Sequence, residues 1–232
     1  MTQSAKALFR ATKAKPAPQP SMLPDAPRQR APEHERREHD FYPTGQPEAV
    51  RALLAADGRI IRNHSAVWEP AVGAGDLARE IEAYGLPVVG SDIVDRGHDG
   101  ALIRSFYDFD RSPAEAIITN PPYGEINARD GHGRWLRHSL DIPGWTYLAL
   151  LLSWDWPAAR ANGLGAMLDE RPFSWCYLMR WKLDFTGEGS PPQRNAWFVW
   201  HREDRRSTSA RADNHPDFRW LDRRDWRQEA LL

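Results

Sequence analysis

The sequence predicts a doubly wound α/β fold around a mostly parallel sheet. Three observations carry that expectation. From Asp40 onward, short apolar runs of strand length alternate with stretches of helical periodicity. The first such run leads into Trp68-Glu69-Pro70-Ala71-Val72-Gly73-Ala74-Gly75-Asp76-Leu77, which reads as a strand, a glycine loop and a helix start. The second run ends in Gly90-Ser91-Asp92-Ile93, an acid about 20 residues beyond the glycine loop, the separation that the first two strands of such a sheet produce.

Residues 1–38 read as an arm outside the domain. Lys15-Pro16-Ala17-Pro18-Gln19-Pro20 is punctuated by proline, and Arg28 to Arg37 is charged without an apolar face. Lys6, Arg10, Lys13 and Lys15 make the start basic, with none of the apolar core of a secretory signal. Its shortage of acids weakly mimics a mitochondrial transit peptide, and a disordered basic tail is the simpler expectation. Pro47 to Ala56 reads as a helix, with Val50, Leu53 and Leu54 on one side and Gly58 as its stop. Ser65 to Glu69 is the first strand. Asp76 to Tyr84 is the next helix, with Asp76 as its cap. Pro87 to Ile93 is the second strand, Ile103 to Phe106 a weaker third, Ala116 to Thr119 the fourth and Thr146 to Ser153 a strongly apolar fifth. Ser174 to Lys182 and Ala196 to His201 follow with no clear helix between them, which predicts a terminal antiparallel hairpin. The expected domain spans 39–205, with 206–232 as a C-terminal extension.

Composition narrows the function classes. The chain has 232 residues, 41% hydrophobic and 27% charged, which suits one soluble domain with a sizeable core and a tail. A formal net charge of -1 gives no global basic signal, so a nucleic-acid site has to come from local patches. Cys176 is the only cysteine, which excludes an intramolecular disulfide and a cysteine-rich zinc site and fits a reducing cytoplasm. The eight histidines show no ligand-like clustering, and His132 and His138 read as surface residues. No apolar run approaches the roughly 20 residues of a membrane span. Most of the 11 tryptophans read as core, nearly all of them in the second half of the chain.

The feature with the most chemistry follows the fourth strand. Asn120-Pro121-Pro122-Tyr123 must leave the sheet in a stiff, extended loop, because each proline fixes its own φ and Pro122 keeps Pro121 out of the helical region. Carbonyls in such a loop have few local donors and are free to accept from a ligand. The Asn120 side chain adds an acceptor and the Tyr123 ring adds a flat stacking surface. Together these suit a planar substrate with an exocyclic amino group. Upstream, Gly73 and Gly75 let backbone approach a ligand closely, and Asp92 is positioned to accept both hydroxyls of a ribose.

Asn120-Pro121-Pro122-Tyr123 resembles the catalytic loop of S-adenosylmethionine-dependent amino-group methyltransferases. With Glu69 four positions before Gly73, the glycine loop resembles the first motif of the same enzymes. The resemblance implies a class I, Rossmann-like domain with a seven-stranded sheet. In it the glycine loop runs under the methionine moiety and Glu69 helps to organise it. Asp92 holds the ribose, and Ile93 packs on the adenine. Asp108-Phe109 matches the pair whose acid accepts from the adenine amino group, with Ser105-Phe106 as the competing alignment. Phe41-Tyr42-Pro43-Thr44 is similar to the segment that closes over the methionine end in DNA adenine methyltransferases. There the Thr44 hydroxyl reaches the cofactor carboxylate and Phe41 covers the sulfonium. The closest likeness is to phage- and prophage-borne adenine-specific DNA methyltransferases. It covers roughly residues 40–201, and the polar stretch from Glu125 to Arg137 departs from it.

The implied reaction is direct methyl transfer to an amino nitrogen, N6 of adenine in DNA. Asn120 and the Pro121 carbonyl hold the two N–H groups, and Tyr123 stacks on the flipped base. RNA amino groups, protein glutamine amides, and a catalytically silent nucleic-acid-binding subunit on the same fold stay open as alternatives. Candidate DNA contacts are the 125–137 stretch, the basic tail, and Arg202, Arg205, Arg206 and Arg211. The implied partners are DNA, with no metal and no membrane.

Overall fold

The computed structural model describes residues 47–126, 133–158, 164–184, 194–202 and 216–229. Phe41, Thr44 and the arm lie outside the described residues, as do 127–132 of the polar stretch. The described helices are α1 (Glu48–Ile61), α2 (Asp76–Ala83), α3 (Tyr123–Ile126), α4 (Arg134–Asp141), α5 (Leu164–Glu170) and α6 (Trp226–Glu229). The strands are β1 (Val67–Glu69), β2 (Val88–Asp92), β3 (Leu102–Ile103), β4 (Ala116–Thr119), β5 (Tyr147–Ser153), β6 (Trp175–Met179), β7 (Asn195–His201) and β8 (Asp217–Leu221).

These eight strands form one sheet in the order β3-β2-β1-β4-β5-β7-β6-β8. The first five run parallel, and the strand order reverses between β1 and β4. β7 runs antiparallel to both β5 and β6, which is the expected end hairpin. β8 adds to the edge, parallel to β6, from a segment that the sequence left outside the sheet. Its alternating exposure, with Phe218 and Trp220 outward, is that of an edge strand with one open face.

Successive side chains alternate between two cores, one on each face of the sheet. Val67, Ala116, Ile118, Tyr147, Ala149 and Leu151 pack with α1 and α2. Trp68, Ile117, Leu148, Leu150 and Phe198 pack with α4 on the other side. Burial on both faces explains why β4 and β5 read as unbroken apolar runs. Most tryptophans are core, as expected, while Trp154 and Trp220 are exposed.

Several local expectations are corrected. α1 does not stop at Gly58 but runs on to Ile61. A Cβ at Gly58 would overlap the Tyr84 hydroxyl, so this glycine serves close packing of α1 on the end of α2. Asp76 is not the cap of α2. Gly75 is, with φ 80°, and Asp76 is the first helical residue, paired with the Arg79 side chain. The third strand is only Leu102–Ile103. Phe106 instead enters a 3-10 turn, Phe106–Asp108, capped by the Ser105 hydroxyl. α4 and α5 had no counterpart in the sequence reading. α4 forms because Trp135, Leu136 and Leu140 share one buried face. His138, expected at the surface, packs edge-on against Phe106 and Tyr107 at centroid separations of 4.6 and 5.4 Å, and burial lowers its pKa.

Two polar ties fix the α1 side. Arg51 makes a bidentate pair with Glu80 of α2, at 2.8 and 3.0 Å, and Arg227 of α6 reaches the same carboxylate at 3.3 Å. Deeper in, Asp57 of α1 accepts hydrogen bonds from Tyr147 Oη (2.9 Å), Tyr177 Oη (2.6 Å) and Trp175 Nε1 (3.0 Å), joining the helix to β5 and β6.

Candidate active site

The candidate residues converge because of strand direction. Glu69 ends β1, Asp92 ends β2 and Asn120 follows β4 directly, and these three strands are parallel neighbours. Their carboxyl ends share one edge of the sheet, at the point where strand order reverses. Open α/β sheets bind ligands in that crevice.

On the β1–β2 side, the glycine loop is held by its own neighbours. Val72 N–H donates to the Ser91 carbonyl (3.0 Å), Gly75 N–H to the Val72 carbonyl (2.8 Å), and the Arg79 guanidinium to the Ala74 carbonyl (2.6 Å). Asp92 does the rest. One carboxylate oxygen accepts from Gly73 N–H at 2.9 Å and the other from Val94 N–H at 3.1 Å. A carboxylate has about four acceptor sites, so capacity remains for hydroxyl donors. Gly73 has φ 54°, a conformation that favours glycine. At Gly75 the space is already used: a Cβ there would overlap the imidazole of His98, which also lies against Gly90. The Gly75 cleft thus accommodates a protein side chain, a contact that no sequence pattern announced.

Glu69 is 2% exposed, and its Oε2 is buried with no hydrogen-bond partner among the described residues. Burial pushes its pKa well above the ordinary glutamate value, the acids Asp76 and Asp92 push the same way, and a backbone hydrogen bond from Ala78 opposes them. An orphaned buried carboxylate oxygen is costly, about 1–3 kcal/mol or more. It is a ready acceptor for a donor or cation supplied by a ligand.

Beyond Asp92, Ile93 is 51% exposed, an apolar surface that a flat ring can cover. Asp108 is exposed, and its carbonyl accepts from the Arg104 side chain. Ser105 spends its hydroxyl on capping, accepting from Tyr107 N–H at 3.3 Å. Phe109 lies in the core against Trp68, with ring centroids 4.8 Å apart. The structure therefore separates Asp108 from Phe109, one outward and one inward.

On the β4 side, Pro121 and Pro122 take no regular structure, as their stiffness requires, and α3 begins at Tyr123. Asn120 and Tyr123 are half-buried. The Tyr123 ring packs on the second core, and its hydroxyl accepts from Asn195 Nδ2 at 3.1 Å. Burial raises its pKa, so the phenol keeps its proton. Tyr107 donates to Glu125 of α3, and Arg134 of α4 stacks 3.7 Å above the Tyr107 ring, tying α3 and α4 to the segment after β3. Sequence reasoning missed Arg79, His98, Asn195 and the Tyr107–Glu125 contact. Only Asn195 left a signal, as a polar residue opening an otherwise apolar strand.

Among the described residues, no group of three or more His, Cys, Asp or Glu could hold a metal. Burial pushes the Cys176 thiol up to about 12, far from a reactive thiolate. No described helix is long and apolar enough to cross a membrane.

No protein-family model matches the chain, and no curated protein matches it by sequence. Solved structures do match by shape. One is the modification subunit of a proposed type I restriction enzyme from Vibrio vulnificus, with TM-score 0.51 and 11% identity, covering 70% of this chain and 44% of that one. Another is a proposed class I S-adenosylmethionine-dependent methyltransferase from Listeria monocytogenes, with TM-score 0.51 and 13% identity, covering 79% of this chain and 66% of that one. The chain thus spans less than two thirds of either protein's length. At this identity the likeness establishes the fold: an α/β sheet of the class I methyltransferase type, mostly parallel with an antiparallel end.

Proposed function

We propose that this protein transfers a methyl group from S-adenosylmethionine to an exocyclic amino nitrogen, N6 of adenine in DNA. One observation carries the reading. An orphaned buried acid, a ribose-competent acid and an Asn-Pro-Pro-Tyr loop lie at the carboxyl ends of three adjacent parallel strands. The residues fit the cofactor. Glu69 offers an unmet acceptor toward a cationic methionine end, Gly73 a close backbone approach, Asp92 spare acceptor sites for hydroxyls, and Ile93 an apolar cover for a ring. When bound, the cofactor supplies an electrophilic methyl group on a sulfonium. Phe41, Thr44 and Asp108 are assigned supporting roles by resemblance.

The chain's own residues handle the acceptor. An exocyclic purine amine is a poor nucleophile because its lone pair is delocalised into the ring. The Asn120 side chain and the Pro121 carbonyl take its two N–H groups, orienting the lone pair and stabilising charge that develops on nitrogen. Tyr123 offers its half-buried ring to the base. In duplex DNA the base must first leave the stack, at a cost of a few kcal/mol. The restriction-modification subunit of similar fold and the segment at Phe41–Thr44 favour DNA over RNA or glutamine amides. Incubation with methyl-labelled cofactor and separate DNA, RNA and protein acceptors, followed by nucleoside analysis, tests this. Label on N6-methyladenine from DNA is expected. Label only in RNA or protein glutamine would overturn the DNA assignment.

A further inference from the structure

We infer that Asn195 is a positioning residue that sets the tilt of the Tyr123 ring for the acceptor base. The inference rests on the reading of Tyr123 as the stacking residue and adds a residue that the catalytic-loop resemblance does not contain.

Asn195 opens β7 and pairs with Ser153 at the end of β5. β5 runs parallel to β4, with Leu150 opposite Thr119, so Asn195 lies at the same sheet edge as the catalytic loop. Its side chain is fully buried, and Nδ2 donates to the Tyr123 hydroxyl at 3.1 Å, across 72 residues of sequence. Its Oδ1 is buried without a partner among the described residues.

As a packing residue Asn195 is a poor choice. Asparagine disfavours strands, and a buried amide with one unmet oxygen opposes folding. Ala196, Trp197, Phe198 and Val199 continue the strand as apolar core, and valine would suit the position better on packing grounds. Such a local violation is expected where function offsets it. The gain here is geometric. Tyr123 is partly buried against the second core, and an anchor at its hydroxyl adds a second fixed point that sets the ring's orientation. Because the phenol accepts from the amide, its own O–H stays available to donate.

The test compares Tyr123→Ala, Tyr123→Phe, Asn195→Val and the Phe/Val double variant in the full-length protein. The readouts are S-adenosylhomocysteine affinity, acceptor KM and kcat with a duplex oligonucleotide, and urea stability. Asn195→Val removes the unmet oxygen and Tyr123→Phe removes only the hydroxyl, so both are expected to fold. Each should raise acceptor KM by about 3- to 10-fold, the worth of one hydrogen bond, with unchanged S-adenosylhomocysteine affinity. The double variant should be no worse than either single. If Tyr123→Ala weakens acceptor binding while Asn195→Val and Tyr123→Phe match wild type, the inference fails and the stacking reading stands. If Tyr123→Ala leaves acceptor binding unchanged, or wild type methylates no acceptor, both fail together.

Discussion

Two carboxylates lie equally deep in this protein and are held in opposite ways. Asp57 and Glu69 are each 2% exposed, and burial raises the pKa of both. Asp57 accepts from two tyrosine hydroxyls and an indole, and those donors pull its pKa back toward the ordinary range. Glu69 has an oxygen with no partner among the described residues, and the acids near it, Asp76 and Asp92, add to the effect of burial. A buried acid with both oxygens hydrogen-bonded is a tie between a helix and a sheet. A buried acid with an unmet oxygen at the carboxyl end of a strand is poised for a partner that arrives later.

The contrast can be broken by exchanging the two roles. Asp57→Ala should cost about 1–3 kcal/mol of stability for each of the three buried donors that lose their acceptor. Urea denaturation checks this, and cofactor affinity of the folded fraction should hold. Glu69→Gln should do the reverse. It should leave stability equal or higher and weaken cofactor binding by about 1.5–3 kcal/mol, the range for hydrogen bonds to a charged group, as measured by calorimetry. Asp92→Ala should weaken cofactor binding by about 1–3 kcal/mol. Binding equal to wild type would remove the ribose assignment.

The smallest effect is on pH dependence. Glu69's pKa in the fold is raised above its unfolded value, so its stabilisation is complete below the ordinary value of 4.5. That stabilisation is lost as pH rises through the raised value. The unliganded protein should therefore lose some stability with rising pH over that window, and Glu69→Gln should flatten the slope. Cofactor affinity should move the other way over the same window, because a cationic ligand selects the carboxylate. A Glu69→Gln profile that superimposes on wild type would contradict the assignment.

Much of this was legible in the sequence because it is local. β4 ends at Thr119 as its apolar run ends, and the turn that follows is dictated by two prolines. The glycine loop and Asp92 are readable from spacing alone. Contacts between distant segments were not legible. Gly58 looks like a helix stop until Tyr84 is seen to fill the space where a side chain would go. Nothing in the helix pattern singles out Asp57, whose partners come from β5 and β6. β8 was missed because an edge strand with one open face carries a weak apolar signal. Asp108-Phe109 reads as one unit, but a 3-10 turn sends its two side chains to opposite sides.

In the proposed function one set of residues holds the cofactor and a separate loop performs the transfer. Asn120→Ala tests it most directly, with S-adenosylmethionine affinity by calorimetry and N6-methyladenine in DNA by mass spectrometry on the same preparation. Affinity near wild type is expected, with turnover reduced by about 10²–10³, the cost of removing one preorganised hydrogen-bonding group at a reacting centre. Full turnover by Asn120→Ala on the acceptor that wild type methylates would contradict the proposed function.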